Sequence, residues 1–160
     1  MRSRRLSTSL LAALFAGLIL RGAYAYHAQS RGFIPTTSDN YETIALSLLE
    51  RGEFALEPGK PTSHREPAYP LFIASVYALA GGRSPAALLG AQCLLNVATA
   101  LMCWWLASRL FGEKAGLAAA WIYVLYPAAV YYSGYYFRET FAAFLVTGLA
   151  CTSALWSQPG

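Results

Sequence analysis

Residues 117–156 carry only two charged side chains, Arg138 and Glu139, set side by side near the middle of an otherwise apolar stretch. Water opposes exposing so much apolar surface, and lipid demands that every backbone N–H and C=O be satisfied within the segment, which for one such run means helix. About 20 residues are needed to cross the hydrocarbon core, so the stretch reads as two spans folded as a hairpin. The composition agrees: 56% hydrophobic and 12% charged residues with a mean hydropathy of +0.38 argue against a water-soluble domain of 160 residues. The balance of +4 does not point to nucleic acid, because the basic residues are scattered apart from Arg2, Arg4 and Arg5. Cys93, Cys103 and Cys151 lie inside apolar runs without C-x-x-C spacing or nearby histidines, so neither a disulfide framework nor a metal site is indicated.

The first apolar run, residues 6–26, follows the three arginines, which keep the N-terminus cytoplasmic under the positive-inside rule. A cleaved signal peptide is the competing reading, with residues 10–20 as its h-region and Ala23-Tyr24-Ala25 as an A-x-A site. Arg4-Arg5 resembles a twin-arginine signal without the rest of that pattern. A protein with further spans needs no separate export signal, and Arg21, near the outer end, is expected to snorkel to the interface. Residues 85–110 make a second span, and residues 117–135 and 140–156 a third and a fourth.

Residues 68–80 decide the topology, because this run is apolar but only about 13 residues long before Gly81-Gly82-Arg83. If it lies in the interface there are four spans, Arg109 and Lys114 fall in the cytoplasm, and Asp39 and Glu139 share the outer side. If it crosses there are five, Arg109 and Lys114 move outside, and Glu139 moves inside. Short length and the positive-inside rule both favour four. The expectation is an all-α polytopic protein of the cell (inner) membrane. It has about four transmembrane helices, plus two interfacial juxtamembrane helices in an outer loop spanning residues 27–84.

Most acidic residues gather in that loop. Tyr41, Ile44, Ala45, Leu48 and Leu49 follow the i, i+3, i+4, i+7, i+8 rule, which predicts an amphipathic helix over residues 38–52 closed by Gly52. Asp39 has two readings: a capping box with Glu42, or a functional carboxylate beside the bilayer. Lys60, His64 and Arg65, in the proline-punctuated loop that follows, suit an anionic head group such as phosphate, or ordinary interfacial anchoring. His64 has no second His or Cys near enough to suggest zinc, and His27 reads as interfacial. Glu139 and Arg138 mark either the dipole-favoured start and membrane boundary of the last span or a second outer acidic position with its cation.

Other polar residues read as architecture. Gln92, Asn96, Thr99 and Cys103 share one face of the second span, as Ala143, Thr147 and Cys151 do on the last. Trp104, Trp105, Tyr131, Tyr132, Tyr135, Tyr136 and Trp156 fall near span ends as an aromatic belt, with carbohydrate stacking by the tyrosines as the alternative.

Taken together, these residues resemble a family. A first span, Ser38-Asp39 followed by Tyr41-x-x-x-Ala45, and Arg65-Glu66-Pro67-Ala68-Tyr69-Pro70 opening a short apolar helix are similar to the N-terminal part of C-type-fold membrane glycosyltransferases. The likeness is to the bacterial group related to protein O-mannosyltransferases and the lipid A aminoarabinose transferase. It continues through Leu110-Phe111-Gly112, the Pro127 span and Arg138-Glu139-Thr140, over nearly the whole chain. The resemblance implies inverting transfer of a sugar from a polyprenyl-phosphate donor to a hydroxyl of a lipid, glycan or protein acceptor, on the outer or periplasmic face. It assigns Asp39 as general base on the acceptor, Glu139 near the substrates, and Arg65 near the donor phosphate; His64, Lys60, Tyr69 and Arg138 complete the expected substrate-binding set. Asp39-Asn40 departs from the double acidic pair of many relatives.

One aligned base plus cations on the departing phosphate suffice for such a transfer, so no cofactor is required; a divalent metal is compatible but not indicated. Relatives are several times longer, so the chain reads as a fragment, inactive alone. A non-catalytic membrane scaffold or subunit is the alternative function. A transporter is disfavoured, since only Gln92 and Asn96 lie deep in the bilayer.

Overall fold

The computed structural model describes residues 2–31 and 40–156. Seven helices and one small hairpin follow in order: α1 Arg2–Ser30, α2 Tyr41–Arg51, β1 Ala55–Glu57, β2 Lys60–Pro61, α3 Ala68–Leu79, α4 Pro85–Phe111, α5 Glu113–Leu125, α6 Pro127–Ser133 and α7 Glu139–Trp156. The antiparallel β1–β2 pair lies in what the sequence reads as plain loop; Pro58-Gly59, with Gly59 at φ 70°, supplies its turn.

Among the described residues, three helical stretches are long and apolar enough to cross a membrane: Thr8–Ser30, Pro85–Phe111 and Glu139–Trp156. They leave rows of apolar side chains exposed, such as Leu11, Phe15 and Ile19 on α1 and Leu145, Val146 and Leu149 on α7. That surface is compatible with an integral membrane protein.

The span expected over residues 117–135 is broken instead. α5 and α6 meet at Tyr126–Pro127 with a bend of 52°. In a continuous helix the carbonyl of Tyr123 would accept from the N–H of residue 127, which proline lacks. Arg21 takes that place: its guanidinium donates to the Tyr123 carbonyl at 3.0 Å and to the Val124 carbonyl at 3.0 Å. Arg21 therefore does not snorkel. Helix α1 runs on to Ser30, which leaves the arginine about 13 Å short of the helix end at 1.5 Å per residue. It is 1% exposed, its charge held by the dipoles of these two carbonyls, while its Nε is buried without a partner among the described residues.

The other long elements fit by small residues and a polar seam. Gly112, at φ 88°, turns the chain directly from α4 into α5. At Gly116 a Cβ would stand 2.6 Å from the Trp104 carbonyl oxygen, so only glycine lets these two helices approach so closely. Gln92, Asn96 and Thr99 are buried along α4 as the face pattern predicts. Asn96 accepts from the Tyr123 hydroxyl at 2.9 Å, while Thr99 bonds back to the Leu95 carbonyl. On α7, Thr147 donates back to the Ala143 carbonyl, and the Cys151 thiol reaches the Met102 carbonyl at 3.7 Å.

The apolar core gathers at one end of the bundle, where α2 packs on α3 and α3 on the first turns of α4, with Tyr41, Ala45, Tyr69, Ile73, Tyr77, Leu88 and Leu89 in one cluster. Helix α3 touches α2 at both of its ends, Tyr69 through the Tyr41 ring at 5.2 Å and Tyr77 through the Glu42 carboxylate at 2.6 Å. Ser84 caps α4 by accepting from the Ala87 N–H, with Pro85 in the first turn.

Candidate functional site

Charged residues meet at this same end. Glu42, in the first turn of α2, is only 4% exposed. Arg83 donates to it through Nε at 2.9 Å and through Nη2 at 3.0 Å, and the Tyr77 hydroxyl donates at 2.6 Å. Two-pronged geometry and a third donor are what a buried carboxylate needs. Bonding to Glu42 raises the Arg83 pKa. Burial, followed by the hydrogen bond to Glu42, raises that of Tyr77, and burial followed by the Glu42 charge pushes the Tyr136 phenol up to about 12. The sequence reading of Glu42 as the return half of a capping box is thereby corrected. Asn40 precedes the helix in a left-handed conformation at φ 62° with no side-chain cap bond, and the Glu42 side chain turns outward to α3 and Arg83. Helix α2 itself starts at Tyr41 and ends at Arg51, inside the expected 38–52.

A second cluster joins the loop before α3 to the loop before α7. The Tyr41 hydroxyl donates to Glu66 Oε2 at 3.1 Å, Arg138 pairs with Glu66 Oε1, and the Arg65 guanidinium lies 5.1 Å from the centre of the Tyr41 ring. Beneath them the Tyr69 hydroxyl donates to Gln92 Oε1 at 3.1 Å, and Gln92 Nε2 donates to the Tyr135 carbonyl at 3.0 Å. Burial, and after it the charge of Glu139, raises the Tyr69 pKa. The Tyr69, Phe72 and Phe141 rings stack behind, with 5.0 Å between the centroids of the last two.

Of the site residues expected from sequence, Arg65, Tyr69, Arg138 and Glu139 come together here. Lys60 and His64 do not join them by any bond: Lys60 is exposed on the hairpin and pairs with Glu57 at 2.6 Å, and exposed His64 is held through its backbone N–H by Thr62. Asp39, the expected general base, lies outside the described residues. Tyr41, Glu42, Glu66, Tyr77, Arg83 and Tyr136 enter the assembly without having been singled out as site residues. The signal available for them was scarcity: with eight acidic residues in 160, any acid beside an apolar helix has to be accounted for. Tyr136 also departs from the aromatic belt, being buried in the core, whereas Tyr131, Tyr132, Tyr135 and Phe137 cluster with one another.

Glu139 differs from the other two acids. Its Oε2 is buried without a hydrogen-bond partner among the described residues, as is the hydroxyl of the next residue, Thr140. No group of three His, Cys, Asp or Glu side chains that could hold a metal occurs among the described residues. Comparison with protein-family models, with curated proteins and with solved structures finds no match for this chain.

Proposed function

We propose that this chain is part of an integral membrane glycosyltransferase that moves a sugar from a polyprenyl-phosphate donor to an acceptor hydroxyl. In this reading four segments cross the cell (inner) membrane, with α5 and α6 together as the third, α2 and α3 in the interface, and the N-terminus in the cytoplasm. Asp39, which precedes α2 in the sequence, is the general base. Arg65 and Arg138 face the donor phosphate, while Tyr69 and Glu139 line the substrate side.

The observation that carries the reading is the convergence of Arg65, Glu66, Tyr69 and Arg138 from two distant loops at one end of an apolar bundle. One arginine held against an aromatic ring and a second on the neighbouring carboxylate suit a lipid phosphate that gains charge as the sugar leaves. The proposal is tested by Asp39→Asn in the membrane-embedded protein supplied with a polyprenyl-phosphate sugar. Transfer should drop by about 10²-fold or more with binding of the donor retained.

One observation favours a scaffold instead: Glu42 and Glu66 are both engaged by arginines, as expected of acids that hold elements together. Unchanged transfer in Asp39→Asn would select that reading. External thiol labelling of single cysteines at 39, 109 and 139 decides the topology: labelling at 39 and 139 but not 109 means four spans.

A further inference from the structure

A cavity of about 240 Å³ opens beside the α5–α6 bend, lined by Asn96, Tyr123, Tyr126, Tyr132, Glu139 and Thr140, with three alanines completing the wall. None of the described residues lining it is a cation. Two of its polar groups lack partners: Glu139 Oε2 and the hydroxyl of Thr140, a residue only 3% exposed. Asn96 is already committed, accepting from Tyr123. Arg21, which touches the Tyr123 ring at 5.5 Å, is likewise committed to the Tyr123 and Val124 carbonyls.

A carboxylate oxygen kept from water without a donor costs several kcal/mol. The charge invites a cation, and the rest of the wall says which kind. Metal ions of the oxygen-loving type want several carboxylate or carbonyl ligands, and here one acid stands among tyrosines. An organic ammonium needs one counter-charge, a hydrogen-bond acceptor and aromatic surface, which Glu139, Thr140 and the Tyr126 and Tyr132 rings supply.

We propose that this cavity binds an organic ammonium group, with Glu139 as its counter-ion and Thr140 as a neutral partner. The assignment shares Glu139 with the glycosyltransferase reading but does not depend on it, because binding is read without any sugar transfer. The ammonium comes either from a soluble amine or from an aminated lipid head group.

The test uses the full chain in nanodiscs of phosphatidylglycerol, with thermal unfolding followed against tetramethylammonium and ethanolamine and against sodium chloride at equal ionic strength. A saturable rise in Tm with an ammonium, absent with sodium and weakened at least tenfold in apparent affinity by Glu139→Gln, is the expected result. Tyr132→Leu should weaken it while Tyr132→Phe retains it. Should Glu139→Gln fail to fold, Tyr132→Leu decides in its place, together with Thr140→Val read with ethanolamine, whose ammonium carries the N–H donors that tetramethylammonium lacks. Nanodiscs containing phosphatidylethanolamine separate the sources: loss of the response to the soluble probe there assigns the site to the head group, and its persistence to a free amine. No ammonium response in the parent chain, an equal response to sodium, or equal affinity in the folded variants overturns the proposal.

Discussion

Glu42 and Glu139 stand in the first turns of two helices at one end of the bundle, and they have opposite fates. Glu42 is met by three donors, two from Arg83 and one from Tyr77, whereas Glu139 leaves an oxygen buried with none among the described residues. The dipole at a helix start favours both acids and so does not distinguish them. What differs is the company each keeps. The first is enclosed by α2, α3 and Arg83 and serves as a tie, while the second borders an open cavity. A satisfied acid reports how a fold is held, and an unsatisfied one reports where something else can enter.

Four measurements break or sharpen this contrast. Removing the cation should have the largest effect: Arg83→Ala is expected to lower stability by about 3 kcal/mol, near the bottom of the range for a broken buried pair because the Arg83 side chain is 46% exposed and water can reach that side. Chemical unfolding in bicelles measures it, and an Arg83→Ala protein as stable as the parent would mean that Glu42 is no tie. Tyr77→Phe removes one hydrogen bond to a charged acceptor and should cost about 2 kcal/mol in the same assay.

The third measurement is a pH profile. The Tyr136 phenol has its pKa raised from 10.0 to about 12 by burial and by Glu42, so the folded state holds its proton more tightly than the unfolded state. That contribution is full below pH 10 and is lost as the pH climbs to about 12. Parent and Tyr136→Phe should therefore diverge in stability across that window, and parallel profiles would place the phenol in contact with water. The smallest effect is expected at the open acid: Glu139→Gln should leave stability unchanged within about 0.5 kcal/mol or raise it, having no donor to lose. A clear loss there would reveal a partner for Glu139 and erase the contrast.

Local patterns made much of the fold legible. Apolar run length placed α1, α4 and α7 to within a few residues, the 3.6-residue periodicity found α2, and the short apolar run over residues 68–80 located α3. The polar stripe of Gln92, Asn96 and Thr99 was readable because it repeats on one helical face. The Glu42–Arg83 pair was not, for it joins positions 41 apart and the local capping pattern offered Glu42 a sufficient explanation. The break at Pro127 was hidden for a related reason: hydropathy is blind to a missing N–H, and the residue that compensates lies in the first helix. Within the candidate site, Arg65 and Arg138 were legible by residue type and position, and Tyr69 through the family resemblance alone. Glu66, which joins Tyr41 to Arg138, was not, because a partner across 72 positions leaves no trace in local spacing.

Arg21 also bears on the order in which the chain can assemble. The carbonyls that receive it lie 102 and 103 positions further along, so during synthesis the first helix exists well before its partners do. An arginine near the middle of a lone apolar helix costs about 2.5–3.5 kcal/mol on insertion scales. The newborn first helix is therefore a reluctant lodger in the bilayer, and it settles only when α5 arrives and offers the carbonyls of Val124 and of Tyr123, the latter already receiving the Tyr126 N–H. The same substitution that would ease the first step, Arg21→Leu, would take from the α5–α6 break the two donors that the arginine brings to it.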